Sequence, residues 1–88
     1  SATSGVRISQ YNMGNYRVVY AAENNGYLAV FGNENGTAKT YQLYKDGGFV
    51  ENYPMPALAM NAAVQMQTDV FALALADGLY KLDLKNAL

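Results

Sequence analysis

Tyr27-Leu28-Ala29-Val30-Phe31 and, 43 residues further on, Val70-Phe71-Ala72-Leu73-Ala74 are the stretches whose reading decides the fold. Each is an apolar run that meets a turn and is answered by a second run. Asn33-Glu34-Asn35-Gly36 leads into Tyr41-Gln42-Leu43, and Ala76-Asp77-Gly78 leads into Tyr80-Lys81-Leu82, at an offset of 39. Upstream, Ile8-Ser9-Gln10-Tyr11-Asn12-Met13 aligns with Val50-Glu51-Asn52-Tyr53-Pro54-Met55 at an offset of 42. The offset shrinks because the hairpin from Asn33 to Lys39 is longer than its counterpart, and hairpin tips tolerate insertions. Strand, turn and strand recur in one order along the whole chain, the signature of tandem repetition with a period near 40 residues.

The rest of the chain reads as strands as well. Apolar segments rich in Val, Tyr, Phe and Leu are punctuated by Asn24-Asn25-Gly26, Asn35-Gly36, Asp46-Gly47-Gly48 and Asp77-Gly78. Asn, Asp and Gly tolerate the positive φ of tight hairpins, so these mark chain reversals. Strands are predicted at 6–13, 16–22, 27–32, 37–45, 49–55, 60–67, 69–76 and 78–85, an all-β protein. Only 57–67 has a helix-forming composition. The alternation of Ala62, Val64 and Met66 with Asn61, Ala63, Gln65 and Gln67 favours a strand.

Four antiparallel strands per repeat of about 40 residues is the plan of a β-propeller blade. The chain reads as one unit, 1–88, with one blade-like repeat at 6–45 and a second at 49–85. With strand A innermost and D outermost, the order is permuted: D-A-B-C, then D-A-B-C again. Apolar strands such as 69–76, without alternation, are then interior ones covered on both faces. Two blades cannot close a ring, since propellers need about four to eight. Strand 78–85 is left seeking a strand like 6–13. Head-to-tail association of identical chains answers this if the rotation closes, with three copies favoured; the alternative supplies the remaining blades from a longer polypeptide.

Composition narrows the partners. The chain has no cysteine and no histidine, so disulfides cannot support its small core. Six basic and seven acidic residues are scattered singly for a net charge of −1, which leaves no electrostatic footprint for nucleic acid or an anionic membrane. The longest apolar run, Val70 to Ala76, is too short to span a bilayer as a helix. Ser1-Ala2-Thr3-Ser4-Gly5 is small, polar and without Met, as after removal of a leader or trimming of the chain, so localisation stays open, with a secreted or periplasmic setting slightly favoured.

Gly26-Tyr27-Leu28-Ala29-Val30-Phe31, a turn, Lys39-Thr40-Tyr41-Gln42-Leu43-Tyr44, Asp46-Gly47-Gly48 and Phe49-Val50-Glu51 together resemble propeller repeats of the lactonase and phytase-like kinds. Val70 to Leu84 looks like the same blade motif. Tyr20-Ala21-Ala22 before Gly26-Tyr27-Leu28 is similar to one blade of β-propeller phytases. That resemblance implies a calcium-dependent phosphatase with an acid-rich centre. This chain departs from the pattern: Glu23, Glu34, Asp46, Glu51, Asp69, Asp77 and Asp83 are dispersed over turns and rims.

No Ser-His dyad, thiol nucleophile or zinc site of imidazole or thiolate type can be built without His or Cys. Asp77 and Glu34 sit on equivalent hairpins facing one end of the expected ring; an acid–base pair would need them about 5–10 Å apart. Solvated turn carboxylates are the simpler reading. Asn33, Glu34, Asn35 and Gly36 offer oxygen donors as a calcium loop does, but fewer than such loops supply; an ordinary Asn-Gly hairpin fits better. Among eight tyrosines, Tyr41 and Tyr80 occupy equivalent positions and read as inter-blade packing, whereas Tyr16 and Tyr44 are freer to contact a ligand. Arg17 could meet a carboxylate or sugar hydroxyls at the channel rim, or form a salt bridge to a neighbouring blade.

The expected ligand-facing residues are therefore Tyr16, Arg17, Asn33, Glu34, Asn35 and Asp77, with no catalytic set, no metal site and calcium as the only cofactor weighed. The function expected is a non-enzymatic binding and assembly module that closes a ring head-to-tail and takes a ligand, carbohydrate or peptide, on its loop face. Sugar-binding propellers commonly stack on indoles, and Trp is absent. A segment of a propeller enzyme and a purely structural or engineered half-propeller are the alternatives.

Overall fold

Two-residue turns organise the chain. In a computed structural model describing residues 14–44, 49–51 and 55–84, seven strands are formed: β1 (Tyr16–Asn24), β2 (Tyr27–Glu34), β3 (Thr37–Leu43), β4 (Phe49–Glu51), β5 (Met60–Gln67), β6 (Val70–Leu75) and β7 (Gly78–Asp83). Asn25-Gly26 and Asn35-Gly36 carry φ of 52°, 85°, 53° and 82°. Positive φ at both central residues matches a hairpin turn to the right-handed twist of its strands, and Asn-Gly adopts it at least cost. Asp69, at φ 66°, takes the corresponding second position between β5 and β6.

The strands form two antiparallel sheets. One has the order β1-β2-β3-β4 and the other, among the described residues, β5-β6-β7. The expected strand 6–13 lies outside the described residues. Of the expected strand 49–55, residues 49–51 pair with β3, while 52–54 also lie outside. The segment with helix-forming composition is strand β5 from Met60 onward.

The two sheets correspond in register. Tyr41 pairs with Val30 and Leu43 with Leu28 in the first, as Tyr80 pairs with Leu73 and Leu82 with Phe71 in the second. The first hairpin is longer because its ladder runs two pairs further, Asn33 with Ala38 and Glu34 with Thr37. Its loop is no longer than that of the second, so the extra length lies in the strands and not at the tip expected from the sequence.

Alternation gives each sheet a front and a back. The front of the first sheet carries Tyr20, Ala22, Ala29, Phe31 and Thr40; its back carries Val18, Leu28, Val30, Tyr41 and Leu43. The matching front of the second sheet carries Ala62, Val64, Ala72, Ala74 and Leu79, and its back Met60, Ala63, Phe71, Leu73 and Tyr80. Bulges at Val19 and Asn61 fall at corresponding places, and a further one at Met66 is peculiar to β5.

The sheets stack front to back. Ala29, Phe31 and Ala38 of the first pack with Met60, Phe71, Leu73 and Leu75 of the second in one buried cluster. The rings of Phe31 and Phe71 lie 4.6 Å apart between centroids, and both are fully buried. Truncating either would cost about 3–5 kcal/mol. A second cluster, Val30, Tyr41 and Leu43 with Tyr16 against it, sits on the back of the first sheet.

Candidate functional site

Polar side chains fix how the two sheets lie on each other. At one end, the Met60 N–H donates to Asn33 Oδ1 at 2.6 Å and Asn33 Nδ2 donates to the Met60 carbonyl at 2.9 Å. One amide thus satisfies a backbone donor and acceptor of β5, as a neighbouring strand would. The Ala38 N–H donates to the Leu58 carbonyl at 2.7 Å beside it. At the other end, Asn24 Oδ1 accepts from the Asp69 N–H and from Gln65 Nε2, both at 2.8 Å, while Asn24 Nδ2 donates to Asp69 Oδ1 at 2.8 Å. Asn25 Nδ2 also donates to the Asp69 carboxylate at 2.9 Å. The hairpin tips β2–β3 and β6–β7 therefore share one end of the stack, and β1–β2 and β5–β6 share the other.

All six residues singled out in the sequence lie at the first end, five of them on the first sheet. Tyr16 lies opposite Glu34 and Arg17 opposite Asn33, with Asn35 at the hairpin tip. Asp77 occupies the corresponding tip of the second sheet. Arg17, Asn35 and Asp77 are exposed. Asn33 is engaged with Met60, and Glu34 pairs with Lys39 Nζ at 2.9 Å, a half-exposed ion pair of about 0.2–1 kcal/mol.

Tyr16 packs inward. Its ring stands edge-on to Tyr41 with centroids 5.0 Å apart, and its hydroxyl donates to the Lys39 carbonyl at 2.8 Å. Burial, then the neighbouring Tyr41 and Glu34, push its pKa far above the ordinary value of 10.0. Asp77 accepts from the Tyr80 hydroxyl at 2.8 Å, a bond that raises the Tyr80 pKa because it favours the neutral phenol. Among the described residues no group of three or more acidic side chains gathers to hold a cation.

Asn24, Asn25, Gln65 and Asp69 had no place among the expected site residues. Asn24-Asn25-Gly26 carries an evident turn signal, but the partner of that turn is 45 residues away and no local pattern marks it.

Two further features are unsatisfied by these contacts. Among the described residues β7 has a single strand neighbour, β6, and an edge of that kind invites another strand. A cleft of about 100 Å³ beside it is lined by Met55, Pro56, Leu73, Leu75 and Tyr80, well below the roughly 300 Å³ that a small-molecule site needs. The front of the second sheet also presents Val64 at 53% and Leu79 at 85% exposure.

No protein-family model, curated protein or solved structure matches the chain.

Proposed function

We propose that this chain is a non-enzymatic assembly and binding module: a two-blade β-propeller segment whose copies associate head-to-tail into a ring, three chains giving six blades. The observation that carries this reading is the stacking of two sheets with corresponding registers, front on back, with like hairpins at like ends. A front-to-back contact is heterologous and repeats indefinitely until rotation closes it. Residues 6–13 of a neighbouring copy supply the fourth strand beside β7. Their match to 48–55 sets the register: Glu51 lies opposite Tyr41 and Val50 opposite Gln42, so Ser9 comes opposite Tyr80 and Ile8 opposite Lys81.

The ring end bearing Arg17, Asn35 and Asp77 is the ligand face. Exposed cationic, amide and carboxylate groups repeated around a ring suit a polar ligand such as a carbohydrate, because repetition raises avidity without strong single sites. The test is native mass. A species at three times 9.6 kDa, lost on deletion of residues 1–13, is the expected result; a folded, monodisperse monomer rejects the ring. Glycan-array binding that falls on Arg17→Ala tests the ligand face, and an array without a hit rejects carbohydrate as the ligand.

A further inference from the structure

We infer that the outward front of the second sheet is a docking surface for a second copy of this chain, which receives it on the back of its first sheet around Val18 and Leu28. This rests on the assembly reading, and it names which faces meet.

The contact inside the chain is the template. There the front residue Phe31 lies on the back residue Phe71. By register, Phe31 corresponds to Ala74 and Phe71 to Leu28, since Ala29 and Ala72 pair with Gln42 and Lys81 in the same way. Leu28 is 39% exposed and Val18 55% exposed on the back of the first sheet, on the same face as Val30, Tyr41 and Leu43, which are already buried within the chain, so the receiving surface is confined to Val18 and Leu28. Val18 corresponds to Met60: each sits before its bulge, opposite Gly32 and Leu75, and Met60 is buried in the internal joint.

The bulk of the two fronts is redistributed between neighbouring strands. In the first sheet, large Phe31 pairs with small Thr40; in the second, small Ala74 pairs with large Leu79. Leu79 thus supplies the volume that Phe31 supplies internally, but it projects into solvent. The small front residue Ala22 likewise gives way to Val64. A leucine and a valine this exposed beside Ala62, Ala72 and Ala74, with the exposed Lys81 in the same row as Val64 and Ala72, form a largely apolar patch of the kind that marks an interaction site. The polar clasp is not repeated: Gln67 and Gly26 stand where Asn24 and Asp69 meet internally. The contact between copies accordingly lacks this clasp and is separable, while the internal joint is locked by side-chain hydrogen bonds.

Leu79→Asp damages only the front, and Leu28→Asp only the receiving back. Each variant should keep the wild-type circular dichroism spectrum and raise the dissociation midpoint of the assembly by at least about tenfold, as central interface residues do. Mixing the two variants restores one intact contact and should give a dimer that grows no further. Val64→Lys repeats the front test should Leu79→Asp fail to fold. Wild-type dissociation for both front variants overturns this docking surface while leaving ring assembly in place. Loss with Leu79→Asp but none with Leu28→Asp overturns it in favour of a front-to-front contact. A monomeric wild-type chain overturns assembly itself, and this surface with it.

Discussion

Asn33 grips the Met60 backbone at both its N–H and its C=O, 2.6 and 2.9 Å away, so a side chain of one sheet acts as a strand partner for the next. Asn33→Asp replaces the donating amide by a second oxygen facing the Met60 carbonyl. It should cost about 1–3 kcal/mol in urea unfolding at neutral pH. Part of the loss should return as pH falls into the usual carboxylate range and be fully recovered below it, because a protonated carboxyl can donate again.

Gly32 of β2, opposite Val18, leaves no room for a side chain. A Cβ there would collide with the Arg17 carbonyl oxygen and lie 3.0 Å from the Tyr16 ring, which crosses the glycine to reach Lys39. Gly32→Ala should therefore lose about 3 kcal/mol through strand displacement. Denaturant unfolding gives the loss, and the near-ultraviolet tyrosine signal should change with it.

Tyr16 sets an alkaline limit. Its folded-state pKa is raised above 10.0, so its contribution is complete below pH 10 and declines as pH climbs from there toward the folded-state value, because the unfolded chain ionises first. Tyr16→Phe should cost about 1 kcal/mol at neutral pH, from the lost bond to the Lys39 carbonyl. It should also flatten the fall in thermal stability above pH 10, measured by melting across an alkaline series.

Thr40 is fully buried, and its hydroxyl oxygen has no hydrogen-bond partner among the described residues. Thr40→Val keeps the shape and removes the desolvated oxygen, so stability should rise by about 1 kcal/mol. An unchanged or lower unfolding midpoint would reject this account of the site.

The Asp69 carboxylate can be tested apart from its backbone. Glycine accepts the φ of 66° at this position, so Asp69→Gly preserves the turn and its N–H bond to Asn24 Oδ1 while removing the bonds that Asn24 Nδ2 and Asn25 Nδ2 donate to the carboxylate. A loss of about 1–2 kcal/mol is expected, compared by urea titration with Asn24→Ala.

Strands and turns were largely legible because they depend on neighbours in sequence. Asn25-Gly26 and Asn35-Gly36 mark their hairpins by backbone preference alone, and the match of Tyr41 with Tyr80 carries over into register. Bulges at Val19, Asn61 and Met66 left no such mark, since one extra residue barely disturbs an apolar pattern. The candidate site was less legible. Asn33 reads as an oxygen donor at a hairpin, and only the fold reveals Met60, 27 residues away, in front of it. Tyr16 resembles any rim tyrosine until Gly32 opens its path to Lys39.

The front-to-back stacking has a consequence for how such a molecule changes in length. A contact between like faces is used up by one partner, so copying the coding segment would yield a unit with nowhere to go. In the assembly proposed above, every added unit would bring the surface on which the next one fits. Gene duplication or in-frame deletion can therefore alter the number of units without inventing an interface, and the tandem repetition in the sequence is the trace that such a history would leave.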